Sequence, residues 1–117
     1  MVNLIEETVK FLDDYFLKEI DIEWVGSKDG NYAMSWKSFK DIFKNVNYDA
    51  GFGRQEIAKD LVVVGEDWWL ERHEYDGAEG WEFKQLPTLK NDAKCFGKII
   101  GAWDSIKDIE ISFGGEE

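Results

Sequence analysis

The pattern of hydrophobic and polar positions predicts the centre of the fold between residues 60 and 87. Three short runs rich in β-branched and aromatic residues follow one another, separated by Gly65-Glu66 and Asp76-Gly77, at positions 61–64, 67–75 and 78–86. Such runs, divided by glycine-containing turns and ended here by Pro87, are typical of antiparallel strands. The sequence therefore predicts a three-stranded meander over 61–86.

Alternation along the two longer strands sorts their side chains onto two faces. Both of the registers considered below keep the same aromatic set together, so we expect it to face the core: Trp68, Leu70, Trp81 and Phe83. Arg72 falls on that same side of the second strand.

The register of the hairpin depends on its turn. A two-residue turn at Asp76-Gly77 places Glu71 opposite Glu82, where like charges destabilise the pair. A four-residue loop over 76–79 instead pairs Glu71 with Lys84 and His73 with Glu82. We predict the four-residue loop.

The flanking segments predict two helices and further strands. Apolar residues at helical spacing, from Ile5 to Phe16, indicate a helix over 3–18 that begins at the capping residue Asn3. The other predicted elements are a strand at 20–25, a short strand at 32–34, a helix at 36–45 capped by Ser35, a helical turn at 54–59, a strand or short helix at 96–100 and a last helical turn at 103–109, before a tail at 114–117 that frays. The predicted fold is α+β, an antiparallel sheet of about four or five strands with the meander 61–86 at its centre and two helices packed on it.

Composition bounds the class of protein. The chain has 117 residues, of which 44% are hydrophobic and 15% aromatic, which suits a single domain over 1–117. With 25 acidic and 14 basic residues the net charge is −11, so direct binding to nucleic acid or anionic lipid is disfavoured. This acidity either attracts a partner with a basic surface or serves solubility alone.

The chain carries no apolar run long enough to span a membrane and no signal-peptide pattern at its start. It has a single cysteine, Cys95, which suits a reducing compartment and is expected to be buried and inert. We therefore expect a cytoplasmic protein.

The candidate chemistry comes from Glu71, His73, Glu74 and Glu82, which cluster on or near one face of the hairpin. Carboxylates beside a histidine can perform general acid–base catalysis, as in glycoside hydrolysis. A solvated strand face produces the same cluster without chemistry, and this interpretation is favoured because no nucleophile or oxyanion hole is marked. One His and one Cys do not make a zinc site, so no metal or cofactor is predicted.

Adjacent tryptophans, Trp68 and Trp69, point to opposite faces of a strand. A helix therefore covers the second face, which is the favoured alternative, or Trp69 and Tyr75 lie exposed as anchors of a protein interface. The candidate binding residues on this face are Trp69, Glu71, His73, Tyr75 and Glu82.

The string DLVVVGEDWWLERHEYDGAEGWEFKQLP, preceded by YDAGFGRQEIAKD and followed by WDSIKD, resembles a group of small uncharacterised phage and prophage proteins of Gram-positive bacteria. The resemblance covers 48–87 well and the ends of the chain poorly. A bulky residue, often Trp, is expected where this chain has Gly80, and glycine weakens a strand. The resemblance implies a phage-related origin and a host-cytoplasm setting, and it implies no activity.

These observations lead to an expected function. We expect a non-enzymatic module that binds a host or phage protein and is itself a monomer or small homo-oligomer. It would inhibit a host protein and so serve host takeover or counter-defence, in the way that an anti-CRISPR protein does. The alternatives are a small hydrolase that uses Glu71, Glu82 and His73, and an accessory or structural component that self-associates through a strand edge or Trp69.

Overall fold

The computed structural model has an α+β fold with helices and antiparallel strands. It describes residues 1–51 and 53–114, without the side chains of 112–114. The chain divides into two compact units, residues 1–86 and 87–117. The α+β prediction is confirmed, and the single-domain interpretation stays a prediction.

The first unit contains all of the strands assigned in the described residues. Its helices are α1 (Leu4–Asp14) and α2 (Trp36–Phe43), and a 3₁₀ turn covers Glu19–Asp21. Its strands are β1 (Val2–Asn3), β2 (Trp24–Ser27), β3 (Ala33–Met34), β4 (Asn47–Tyr48), β5 (Leu61–Val64), β6 (Trp68–Tyr75) and β7 (Ala78–Gln85).

Five of these strands form one antiparallel sheet in the order β3-β2-β5-β6-β7, and β1 pairs with β4 in a separate two-stranded ribbon. The predicted meander therefore lies in the larger sheet as β5, β6 and β7. The chain leading into β3 passes very close to Gly26 of β2. This position requires glycine, because a Cβ on residue 26 would overlap the carbonyl of Tyr32.

The turn between β6 and β7 contains two residues, so the predicted four-residue loop is wrong. Tyr75 pairs with Ala78 across Asp76-Gly77, and φ is 52° at Asp76 and 87° at Gly77. Positive φ at both central residues is the type I′ geometry that Asp-Gly favours, because its twist matches that of the flanking strands.

This register places Glu71 directly opposite Glu82. Like charges in this position destabilise a strand pair by only about 0.2–1 kcal/mol, and each carboxylate has a cation beside it. Lys28 Nζ lies 3.0 Å from Glu71 Oε2, and Lys84 Nζ lies 3.1 Å from Glu82 Oε1. The preference of the Asp-Gly turn therefore outweighs the repulsion.

One face of the larger sheet carries the core, and both α1 and α2 pack on that face. The buried cluster joins residues of the helices, the strands and β4: Leu4, Leu12, Val25, Trp36, Phe39, Tyr48, Val63, Trp68, Leu70 and Trp81. Phe83 is partly buried and packs against the cluster. The predicted core face is thus confirmed, and the opposite face of the sheet is named here the outer face.

Several predicted boundaries move. The first helix ends at Asp14 rather than at residue 18, and 20–25 forms the 3₁₀ turn and only the start of β2. The N-caps are confirmed: Asn3 Oδ1 accepts from Glu6 N at 3.0 Å, and Ser35 Oγ accepts from Ser38 N at 3.1 Å. Residues 54–59 form no helix.

The second unit contains α3 (Ile106–Gly114), where the sequence predicted only a last turn. Ser105 Oγ accepts from Asp108 N at 3.2 Å, as an N-cap does, while residues 96–100 form neither strand nor helix. Cys95 is exposed, so the prediction of a buried thiol is wrong, because its segment has no element that would pack it. The predicted frayed tail, 114–117, begins with the last residue of α3, and 115–117 lie outside the described residues.

Candidate functional site

The five predicted binding residues lie on β6 and β7. Trp69, Glu71, His73 and Tyr75 alternate along β6 with core residues, and Glu82 of β7 pairs with Glu71. They therefore share the outer face. The structure brings the first three and Glu82 together, whereas Tyr75 stands exposed beside the hairpin turn.

Trp69 is partly buried, and its indole Nε1 donates to Glu71 Oε2 at 2.8 Å. Because α1 and α2 pack on the opposite face, the predicted coverage of Trp69 by one of them is wrong. The hydrogen bond from Trp69, and then the contact with Lys28, lower the pKa of Glu71. A carboxyl group held in its ionised form is unsuited to be a general acid, so this geometry lends no support to the hydrolase alternative.

Glu82 is compensated in a similar way. Lys84 Nζ contacts it at 3.1 Å, and His73 Nε2 lies 3.9 Å from Glu82 Oε2. The hydrogen bond to Glu82 raises the pKa of Lys84. The outer face of the hairpin therefore carries paired charges, with Glu71 mostly buried and His73, Glu82 and Lys84 partly exposed. Because the charges compensate one another, this arrangement suits a structural surface better than a reactive site.

A buried ionic network on the core face was not predicted. The side chain of Arg72 is fully buried (0% exposed), and its Nη2 lies 2.9 Å from Glu79 Oε2 and from Tyr48 Oη. Tyr48 Oη donates to the carboxylate of Glu7 at 2.7 Å, and burial raises the pKa of Tyr48 to about 12. The guanidinium group lies 4.5 Å from the ring centre of Trp81, a cation–π contact.

This network connects distant parts of the first unit. The Glu79 carboxylate, 2% exposed, also accepts the backbone N–H groups of Glu56 at 2.8 Å and Ile57 at 3.1 Å. It thus attaches an irregular segment to the hairpin. A signal was present in the sequence: Arg72 falls on the core face, and a buried guanidinium requires an acidic partner. The prediction of a four-residue loop missed that partner, because it placed Glu79 in the turn.

The chain leaves α1 through a turn that displays an aromatic side chain. Leu17 N donates to Leu12 O at 2.9 Å, and Phe16 N donates to Asp13 O at 3.0 Å, the two bonds of a Schellman motif. The residue after the cap in this motif is usually glycine because it is left-handed, yet here it is Phe16 with φ 59°. Phe16 is 95% exposed, so its predicted place in the apolar stripe of α1 is wrong.

The residues around Phe16 form a surface that we name the acidic aromatic turn (residues 13–23). Ile20 is also exposed, at 88%, whereas Leu17 and Ile22 pack against the core. The turn has one basic residue, Lys18, and five acidic residues: Asp13, Asp14, Glu19, Asp21 and Glu23. Its net charge is therefore −4 (one positive, five negative).

Glu19 is fixed within this turn by two donors from α2. Lys40 Nζ lies 2.9 Å and Trp36 Nε1 2.7 Å from Glu19 Oε1. These hydrogen bonds, that of Lys40 first, lower the pKa of Glu19. The carboxylate is therefore ionised and held in place.

A cavity of about 560 Å³ opens in the first unit between the core face, α2 and the irregular segment before β5. Its lining is mainly apolar and includes Met34, Phe43 and Ile57, with Glu56 and Asp60 among the few charged groups. None of the five predicted binding residues lines it. The cavity has the size of a small-molecule site, but it offers few converging groups to orient a ligand.

Comparisons with known proteins give no match to a family model, to a curated protein or to a solved structure. In the described part of the chain, no helix is long and apolar enough to cross a membrane. Within residues 1–51 and 53–114, no group of three or more His, Cys, Asp or Glu side chains is arranged to hold a metal ion.

Proposed function

We propose that this chain is a non-enzymatic protein-binding module and that the acidic aromatic turn is its contact surface. The observation that carries the proposal is Phe16, an aromatic residue that is 95% exposed and left-handed. The left-handed conformation costs a non-glycine residue about 1–2 kcal/mol, and its exposed ring gains nothing from burial. A partner pocket that accepts the ring would supply the missing burial, which is how aromatic hot spots act.

The turn holds Phe16 rigidly. The two Schellman hydrogen bonds fix its backbone, Leu17 and Ile22 are packed against the core on either side, and Lys18 N donates to Asp21 Oδ2 at 2.8 Å. A side chain presented from a fixed backbone loses less conformational entropy on binding. This rigidity favours a binding role over that of a flexible surface loop.

The charge of the turn specifies the chemistry of the partner. The turn has a net charge of −4, or −2 once Lys40 beside Glu19 and Lys10 beside Asp14 are added (−4 plus two). This negative charge around two exposed apolar side chains complements an apolar pocket surrounded by Lys and Arg side chains. Opposite potentials across an interface accelerate association and exclude wrong partners.

The proposed partner is a host or phage protein in the host cytoplasm. Basic surfaces of this kind are common on proteins that bind nucleic acid, so a module of this charge would act as an inhibitor that occupies such a surface. The resemblance of residues 48–87 to small phage proteins supports a role in host takeover or counter-defence, of the anti-CRISPR-like type.

The decisive variant is Phe16→Gly, because it should weaken binding while stability is retained or increased. Glycine relieves about 1–2 kcal/mol of left-handed strain in the folded state. It also makes the unfolded chain more flexible, which destabilises the folded state by about 0.5–1 kcal/mol. We expect a free energy of unfolding that is unchanged or up to about 1.5 kcal/mol higher. Affinity for a partner captured from host lysate should fall by about 2 kcal/mol or more, the size of a hot-spot loss.

The controls separate the turn from other aromatic surfaces. Phe16→Ala keeps the strained backbone and should also lose the partner, whereas Tyr32→Ala and Tyr75→Ala remove exposed aromatics elsewhere and should retain it. Association should also slow as salt is raised. A partner held equally by wild type and both Phe16 variants would refute the proposal, as would the absence of any captured partner.

A further inference from the structure

Within the described part of the chain, the outer edge of β7 has backbone groups without a hydrogen-bond partner. At the start of the strand, Glu79 N donates to Ala50 O at 2.7 Å, away from β6. Because backbone groups alternate in direction along a strand, the N–H and C=O groups of Trp81, Phe83 and Gln85 point the same way. No hydrogen bond reaches these three backbones from that side within residues 1–51 and 53–114.

This edge has few of the features that protect natural sheet edges. The strand has eight residues that pair continuously with β6, without a bulge or a proline, whereas the strand at the other edge, β3, has only two. Long regular edges pair with other strands unless charges or irregular backbone prevent it. On the outer face of this part of β7 the charged side chains are Glu82 and Lys84.

We propose that β7 pairs antiparallel with β7 of a second copy of this chain, with Phe83 on the twofold axis. In this register Phe83 faces Phe83 of the second copy, and Trp81 faces Gln85, so the free backbone groups meet one another. Glu82 then lies opposite Lys84 of the second copy, and by symmetry the pair occurs twice. These are non-hydrogen-bonded positions, where side chains approach most closely.

The charges select this register over its neighbours. The free backbone groups of β7 belong to odd-numbered residues. Two copies of β7 can therefore form hydrogen bonds only in registers that place odd-numbered residues opposite odd-numbered residues. Shifting the axis one residue towards the turn places Glu82 opposite Glu82 of the second copy. Shifting it one residue the other way places Lys84 opposite Lys84. Like charges directly opposite are destabilising, and only the axis at Phe83 gives two unlike pairs.

The pairing also accounts for two features of the single chain. Glu82 stands opposite Glu71 within the sheet and has Lys84 of its own chain beside it, and a lysine from the second copy would add a second cation next to this pair of carboxylates. On the core face, the ring of Tyr15 stacks on that of Phe83 at 4.5 Å and remains 41% exposed. Its position beside the axis would bury part of that ring.

The test uses charge reversal and the purified full chain, and it is independent of the proposed function because no other protein is present. Glu82→Lys alone and Lys84→Glu alone each convert two unlike pairs into two like pairs. We expect wild type to dimerise with rising concentration in sedimentation velocity and each single variant to bind itself at least about tenfold more weakly.

Two further samples test the register itself. The two single variants mixed in equal amounts should form a heterodimer, because lysine then faces glutamate at both positions. The double reversal, Glu82→Lys with Lys84→Glu, should dimerise like wild type. A mixture that stays monomeric, or single variants that dimerise like wild type, would overturn this register.

A backbone variant tests the edge without charge. Gln85→Pro removes an N–H group that points away from β6, on an exposed residue, so the β6–β7 ladder keeps its hydrogen bonds. This variant should remain folded by circular dichroism and become monomeric. A wild-type chain that is monomeric at every concentration, or a proline variant that still dimerises, would refute the proposal.

Discussion

Replacing Arg72 by methionine removes a buried charge with little change in the volume of its linear side chain, and so tests how far the ionic network supports the fold. The guanidinium group is fully buried and contacts Glu79 at 2.9 Å. After the replacement, the Glu79 carboxylate would keep only the backbone N–H groups of Glu56 and Ile57 as partners. It would be a buried anion without a cation.

Removing one partner of a buried ion pair costs about 3–5 kcal/mol, because the remaining charge is neither hydrated nor paired. Domains of this size are stable by about 5–15 kcal/mol, so Arg72→Met should remove a large fraction of the total. Glu79→Gln is the complementary change: it leaves Arg72 with Tyr48 and with Glu7, whose carboxylate lies 3.5 Å from Nη1. It should destabilise less than Arg72→Met.

The assay is a double-mutant cycle measured by urea unfolding, followed by circular dichroism. Because the double variant removes both charges, its destabilisation should be smaller than the sum of the two single values by at least about 1.5 kcal/mol. A cost below about 1 kcal/mol for Arg72→Met, or strict additivity, would contradict this account of the network.

Two further expectations concern the strands and pH. Gly80→Ala should raise the free energy of unfolding by about 0.5–1 kcal/mol, because alanine loses less backbone entropy on folding and its Cβ would lie 3.7 Å from Glu7 Oε2, an ordinary contact. Gly26→Ala should lower the free energy of unfolding in the same urea titration, because its Cβ would overlap the Tyr32 carbonyl. The pKa of Tyr48, about 12 against an ordinary 10.0, means that the unfolded chain loses this proton first. Stability should therefore decrease as pH rises from about 10 to about 12, and tyrosinate absorbance should show a late ionisation that Tyr48→Phe abolishes.

The sheet was predictable because its signal is local. Alternation over β6 and β7 identifies the core face without knowledge of the register, since both registers considered keep Trp68 and Phe83 on one side. The register required a comparison of two effects, the preference of Asp-Gly for a type I′ turn and the repulsion of Glu71 and Glu82. The repulsion is weaker than the hairpin sequence alone indicates, because Lys28, which compensates Glu71, comes from the β2–β3 turn.

The end of α1 could not be predicted from periodicity. Phe16 continues the apolar spacing of the helix. What ends the helix is a capping motif in which a phenylalanine occupies the position that glycine usually takes. Sequence rules recognise this motif by its glycine, so the feature that supports the proposed function gave no signal.

The partner of Arg72 depends on pairing rather than on spacing. Glu79 lies seven positions away in sequence, and the two side chains share the core face only in the register of the two-residue turn. The second unit was hard to predict for a different reason: Ile99, Ile100 and Trp103 are exposed while Ile109 of α3 is buried, so hydrophobicity alone does not indicate which of its apolar residues are packed.

The sheet order has a consequence for how the chain folds. β5, β6 and β7 are consecutive along the chain and adjacent in the sheet, so their pairing closes only short loops. β2 must find β5, and β1 must find β4, across much longer stretches of chain, which carries a larger entropic barrier. Folding should therefore begin in the meander, with β2, the ribbon and α1 joining afterwards, and the Asp-Gly turn should influence the folding rate more than any residue of α1 does.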